Sequence, residues 1–286
     1  MNLFHLKCFC DAARSGSLSE SARSNLVTHS AASQAIRALE QQLNVKLLHH
    51  GKRRFQLTEE GEALFLRGQE LLDQFEDLRT EILERANGPS GDVVFGAPQS
   101  LVADAFTSAL RVSREKYPQL RVRIRTGAAG LVKQMVRDRE CAFVILVDDG
   151  DLAEFKQETL FSGDFLVVSS SKRADPMRDG LLVTDREKYE VKRFLKEGRP
   201  LWGNHPPINL EVLSWSLIRK LCLEGLGCGL VPDYVVREEL KRKQLFRVKE
   251  APKTIRYSVK AIWPQNRVLT RSARALLDLL KARPQS

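Results

Sequence analysis

The chain has 286 residues, 43% of them hydrophobic, with 46 Lys and Arg against 36 Asp and Glu and a net charge of +10. That length suits two domains with a real core, and no apolar run reaches the roughly 18 residues that a membrane-spanning helix needs. Five cysteines, Cys8, Cys10, Cys141, Cys222 and Cys228, make no disulfide framework, and the charged opening MNLFHLKCFCDAARSG is no secretory leader, so a cytoplasmic protein is expected.

The first elements are short helices with sharp punctuation. Leu3, Leu6, Phe9 and Ala13 fall at helical spacing, and Gly16 ends the run. Ser17 can cap a second helix whose buried face is Leu18, Ala22 and Leu26. Thr28 stands where a third helix, residues 29–43, needs an N-cap oxygen. Two short helices across a tight turn, the second rich in small and polar residues, make a helix-turn-helix. Residues 46–58, KLLHHGKRRFQLT, then read as strand, basic turn and strand, which is a wing. Residues 1–58 carry +5 and four of the five histidines, as a surface meeting a polyanion should.

Residues 59–86 carry −6 and read as one long helix without proline. Leu57, Leu64, Leu71 and Leu78 recur every seven residues, with Gly61, Gly68, Phe75 and Ile82 four residues after each. This is the a/d seam of a coiled coil, in which glycines would let two helices approach closely. Leu64, Gly68, Leu71, Phe75, Leu78 and Ile82 are therefore the expected dimerisation residues, against the plainer reading that the leucines bury the helix in its own domain. Phe65, Leu66 and Leu72 lie off the seam, where they could pack back onto the helix-turn-helix.

Asn87-Gly-Pro-Ser-Gly91 stops the helix and forms a hinge. Beyond it strands alternate with helices. DVVFGAP, RVRIRT, AFVILV, FLVVSS, GCGLVP and YSVKAIW read as strands, with helices at Ser100 to Lys116, at LVKQMVRDR and near 214–224. The pattern predicts an α/β domain with largely parallel strands.

Three groups of residues carry candidate chemistry. His29, Ser30, Ser33 and Gln34 share one face of the third helix and suit base edges, while Thr28 and Arg37 suit phosphates. Lys52, Arg53 and Arg54 in the wing suit a backbone or minor-groove grip on double-stranded DNA. In the α/β part, Pro98-Gln99-Ser100 joins a strand to a helix, Ser214-Trp215 opens another helix, and Thr126 to Ala128 follows a strand. Such places hold small ligands, and helix N-termini weakly favour an anion. Each serine also has a plain reading as an ordinary N-cap.

The succession Ser17-Leu-Ser, Ser21-Ala22, Ser33 to Glu40, Leu47-Leu48 and Leu57-Thr58-Glu-Glu-Gly61 resembles the N-terminal signature of LysR-type transcriptional regulators. The hinge, the strand ending Gly96-Ala-Pro, and Leu226-Gly-Cys-Gly229-Leu-Val-Pro232 match in the same order. The resemblance implies a multidomain α+β protein: a winged helix-turn-helix (1–58), a linker and dimerisation helix (59–87), and an effector domain like periplasmic solute-binding proteins (88–286). That domain would have one lobe at about 91–162 and 265–286 and a second at about 163–264. A sequence-specific regulator follows, acting as a homodimer or homotetramer and modulated by a small effector held through Pro98, Gln99, Ser100, Thr126, Ala128, Ser214 and Trp215. His29, Ser30, Asn44, His50 and Glu60 depart from the family's commoner residues, which affects base reading rather than fold.

Rival readings are weaker. Cys8 and Cys10 point to different sides of a helix, so no metal site or cofactor is expected. Cys222 and Cys228 could form a redox pair, but the pattern between them is a buried helix-to-strand turn. An enzyme with a DNA-binding head lacks a convergent nucleophile and base, and an architectural DNA binder with a vestigial pocket would show no ligand response.

Overall fold

The computed structural model describes residues 1–49, 55–249, 251–252 and 255–282. The chain forms two compact units, Met1–Ala86 and Asn87–Ser286.

In the first unit, α1 (Leu3–Ser15) starts where the Asn2 side chain accepts the Phe4 amide and stops at Gly16 in the left-handed region. The Ser17 hydroxyl caps α2 (Leu18–Ser24), and the buried Ser21 hydroxyl donates to the Cys8 carbonyl at 2.7 Å, tying α2 to α1. The helix ends two residues before Leu26. That leucine, expected on the buried face, is instead 94% exposed at φ 54° in the turn. The chain must reverse here, and the reversal takes Leu26 out of the helical register.

Thr28 caps α3 (His29–Leu43), and Asn44 closes it in the left-handed conformation that asparagine tolerates. Leu6, Phe9, Ile36, Leu39 and Leu47 form the small core between these helices. Leu48 and Leu57 bridge as an antiparallel pair, the base of the expected wing; its turn lies outside the described residues. The Thr58 hydroxyl accepts the Gly61 amide and so caps α4 (Glu59–Asn87), with Glu59, Glu60 and Glu62 complementing the helix dipole.

The second unit is built on one sheet. β1 (Gly91–Ala97) leads into α5 (Gln99–Leu101), a π-helical turn (Val102–Phe106) and α6 (Thr107–Lys116). Next come β2 (Leu120–Thr126), α7 (Ala129–Arg137), β3 (Phe143–Val147) and the long β4 (Phe155–Ser169). Then α8 (Pro176–Asp179), β5 (Leu181–Val183), α9 (Tyr189–Trp202), β6 (Ile208–Glu211), α10 (Trp215–Leu223) and β7 (Cys228–Pro232) follow. A 3-10 turn (Asp233–Val235), α11 (Arg237–Lys241), β8 (Phe246–Arg247), β9 (Ile255–Pro264) and α12 (Arg271–Ala282) complete it.

The strand order is β2-β1-β3-β9-β4-β7-β5-β6, with β8 beside β4. Both ends are parallel, as read from the sequence, but the centre is not: β9 runs antiparallel to β3 and β4, and β4 antiparallel to β7 and β8. The reason is that β4 and β9 carry the chain from one half of the sheet to the other in opposite directions. The two ends share one apolar core, running from Phe95 and Phe143 to Leu182 and Val231.

Candidate functional site

Helix α3 divides cleanly. Ala32, Ala35, Ile36 and Leu39 are buried, while Thr28, His29, Ser30, Gln34 and Arg37 are exposed and Ser33 is half-buried. The apolar spacing that seats the helix therefore leaves its first two turns, which carry the hydrogen-bonding side chains, turned outward. Thr28 accepts the Ala31 amide at 3.2 Å, which leaves its hydroxyl proton to donate outward. At the far end Glu40 is buried, and its Oε1 accepts the Leu47 amide at 2.9 Å and lies 3.4 Å from that of Leu48. This carboxylate fixes the start of the wing to α3, a role with no local sequence signal because its partners come from the next strand. Lys52, Arg53 and Arg54 lie outside the described residues.

Helix α4 corrects part of the expected seam. A Cβ on Gly68 would lie 2.8 Å from Leu6 Cδ1 and 3.1 Å from Cys10 Sγ, and one on Gly61 would run into the Leu47 carbonyl. Those glycines admit α1 and the wing strand of the same chain. Leu64 likewise packs on the core of the helix-turn-helix, as do Phe65 and Leu72, whereas Leu66 is exposed. Leu64 and Gly68 thus serve the fold of their own unit. Farther along, Leu71 (42% exposed), Phe75 (45%), Leu78 (54%) and Ile82 (60%) continue the four-three-four spacing as an exposed apolar row.

In the second unit the three expected ligand segments follow the carboxyl ends of β1, β2 and β6. Pro98 opens α5, Gln99 is exposed and Ser100 is buried. Thr126 pairs in register with Ala97, which sets Thr126 and Ala128, both exposed, beside that turn. Ser214 caps α10 through the Leu217 amide, and the Trp215 ring meets Phe165 and Tyr234 edge-on at 5.8 and 6.4 Å. The segments are joined by groups that the sequence reading missed. Asp104 accepts from the Ser216 hydroxyl at 2.9 Å and from Arg219 Nη1 at 2.8 Å. These partners lie more than a hundred positions apart, so no spacing rule could have paired them.

The cysteines are all buried thiols. Burial pushes Cys222 and Cys228 up to about 12 and Cys141 up to about 11, so each is a protonated, poorly nucleophilic core group at neutral pH. Among the described residues no cluster of His, Cys, Asp and Glu is placed to hold a metal ion, and no helix is long and apolar enough to cross a membrane.

Two family models match the chain: the bacterial regulatory helix-turn-helix protein of the lysR family over residues 3–62, and the LysR substrate binding domain over residues 86–285. The HTH-type transcriptional regulator CrgA of Neisseria meningitidis is 23% identical over 98% of this chain and 96% of its own. The solved structure of CrgA superposes with a TM-score of 0.59 at 21% identity, covering 99% of this chain and 98% of that one. A full-length OxyR variant from Pseudomonas aeruginosa gives a TM-score of 0.66 at 17% identity, covering 99% and 96%. Vibrio fischeri DarR, solved in complex with DNA, gives 0.57 at 18% identity over 98% of both chains. With both models matched in order and together spanning nearly the whole sequence, the chain belongs to the LysR-type transcriptional regulators, DNA-binding proteins that control transcription.

Proposed function

We propose that this regulator binds its operator as a homodimer or homotetramer and that a small molecule in the second unit sets its affinity or the bend it imposes. The observation that carries the effector reading is the bond between Asp104 and Ser216. Pro98 to Ser100, Thr126 to Ala128 and Ser214-Trp215 are remote in sequence, yet the Asp104–Ser216 bond at 2.9 Å draws the first and third together. The carboxyl ends of strands in open α/β sheets are where ligands sit. In this reading residues 91–162 and 265–286 form one lobe and 163–264 the other, with the effector between them.

On DNA, His29, Ser30, Ser33 and Gln34 read base edges, and Thr28, Arg37 and the wing cations Lys52, Arg53 and Arg54 hold phosphates. Binding is then steeply salt dependent, because each phosphate contact releases counterions. The bare face of Leu71, Phe75, Leu78 and Ile82 supports pairing of two α4 helices, so that two heads address two half-sites.

A metabolite screen by thermal shift, with operator affinity measured for each hit, tests the sensor. Ser100→Phe should abolish both responses and leave basal DNA binding intact. A ligand whose binding and effect survive that substitution would refute the placement of the cleft.

A further inference from the structure

The end of the sheet that would receive an effector is filled by the protein's own groups. Asp104, on the π-helical turn, is 9% exposed and takes both of its side-chain partners, Ser216 and Arg219, from α10. Arg219, 26% exposed, also donates Nη1 to the Val235 carbonyl at 2.9 Å, and its Nε lies 3.6 Å from Glu239 Oε1. The other oxygen of Glu239 is buried with no hydrogen-bond partner among the described residues. The 3-10 turn beside the π-helical turn holds a third carboxylate, Asp233, which accepts from the Tyr257 hydroxyl at 2.5 Å. The rings of Phe165, Trp215, Tyr234 and Tyr257 pack edge to face at 5.3 to 6.4 Å around these groups. π-helical turns are rare in proteins and are frequent at functional sites, and here one carries Asp104.

We propose that Arg219 is an internal ligand of Asp104, and that the effector carries a cationic N–H donor (an amine, amidine or guanidine) which takes its place there. The inference rests on the effector-cleft reading and deepens it. It reverses the weak preference for an anion drawn from helix N-termini.

The reason is an asymmetry in the network. Arg219, Ser216, Val235 and Glu239 all belong to residues 214–241, so Arg219 keeps a carboxylate and a carbonyl if the two sides part. Asp104 keeps neither of its partners. A largely buried carboxylate stripped of its cation needs another, or must return to water. An entering anion would meet three carboxylates and one cation that is already shared. An entering cation would meet Asp104, the unmatched oxygen of Glu239 and the faces of aromatic rings, which attract positive charge. Ligand and Arg219 compete for one carboxylate, so ligand binding and parting of the two sides are the same event.

The test uses the full-length protein with methylguanidine, agmatine and putrescine as cationic probes and acetate, succinate and benzoate as anionic ones. Binding is followed by calorimetry and tryptophan fluorescence, and operator affinity is measured in parallel. Arg219→Met should tighten binding of the guanidine probes at least tenfold by removing the internal competitor. Arg219→Lys, which keeps the charge, should change it less, and Asp104→Asn should weaken it at least tenfold. Anionic probes that bind the parent and are lost in Arg219→Met would overturn the proposal, since Arg219 would then be the anchor. Guanidine binding indifferent to Asp104→Asn would overturn it equally. If cationic probes behave as expected but no probe of either charge alters operator affinity, the ligand chemistry stands and the sensor reading falls.

Discussion

The two halves of α4 follow the same seven-residue rule and meet opposite fates. In the first half Gly61, Leu64, Phe65, Gly68 and Leu72 are spent within the chain, the glycines against Leu6, Cys10 and the Leu47 carbonyl. From Leu71 to Ile82 the same spacing stands bare. Periodicity therefore tells which face of a helix is apolar and says nothing of what covers it. A glycine in such a row is the ambiguous case, because the close approach it permits can be to a helix of its own chain.

The sharpest way to break this contrast is to charge the bare half. Leu71→Asp with Leu78→Asp would place carboxylates in the proposed seam at a cost of several kcal/mol, so sedimentation should show monomers whose heads melt as in the parent. A dimer that survives would remove the seam. The covered half should respond in the opposite way. Gly68→Val puts a methyl-bearing Cβ within 2.8 Å of Leu6 Cδ1, and overpacking of this kind costs about 1–3 kcal/mol. Thermal unfolding of the head should drop while the oligomer persists; an unchanged melt with a weakened dimer would restore Gly68 to the seam.

The same division between covered and bare faces on α3 leads to a subtler effect. Gln34→Ala should leave stability alone and blunt discrimination among operator variants by about 1 kcal/mol or more, read from titrations against single-base substitutions. Uniform affinity loss across all sequences would instead mark Gln34 as a phosphate contact. The smallest expected effect is none. Peroxide should leave Cys222 and Cys228 as thiols, because burial raises both to about 12 and leaves almost no thiolate to react. A mass-mapped disulfide between them would reopen the redox reading.

Much of this architecture was legible because its punctuation is local. Ser17, Thr28 and Ser214 announce helix starts, and Gly16 an end, through hydrogen bonds and backbone angles that involve only a few neighbouring residues. Over residues 170–213 the sequence pattern shows no readable elements, although the structure has four there. There β5 is only Leu181–Val183, too short to show a period, and α9 contains Gly198 and Pro200, which disguise its last turn. The antiparallel centre was missed for a different reason: strand direction is set by which distant strand pairs with which, and β4 meets β9 across about a hundred residues. The candidate DNA face could be placed because it is one helix. The Asp104–Arg219 contact could not, because it exists only once two distant segments are brought together.

The crossing strands have a mechanical consequence. β4 and β9 pair from Phe155↔Pro264 to Phe165↔Ile255, and the register slips once, between Thr159 and Phe161. β3 holds β9 at Val259 to Ile262, a stretch that includes both β9 residues flanking the slip, and β7 holds β4 at Phe165 to Val168. Between those supports Ser162 to Asp164 pair only with Ser258 to Arg256, so the halves of the sheet are joined by a short two-stranded ribbon with an irregularity at its edge. A bulge bends and twists a strand while its flanking ladder stays intact. In the proposed response to an effector, such a ribbon serves as a leaf spring that bends while its flanking hydrogen bonds stay in place. In that response the sheet on either side turns as a plate, and a small shift at the ribbon is magnified at the plates' far edges.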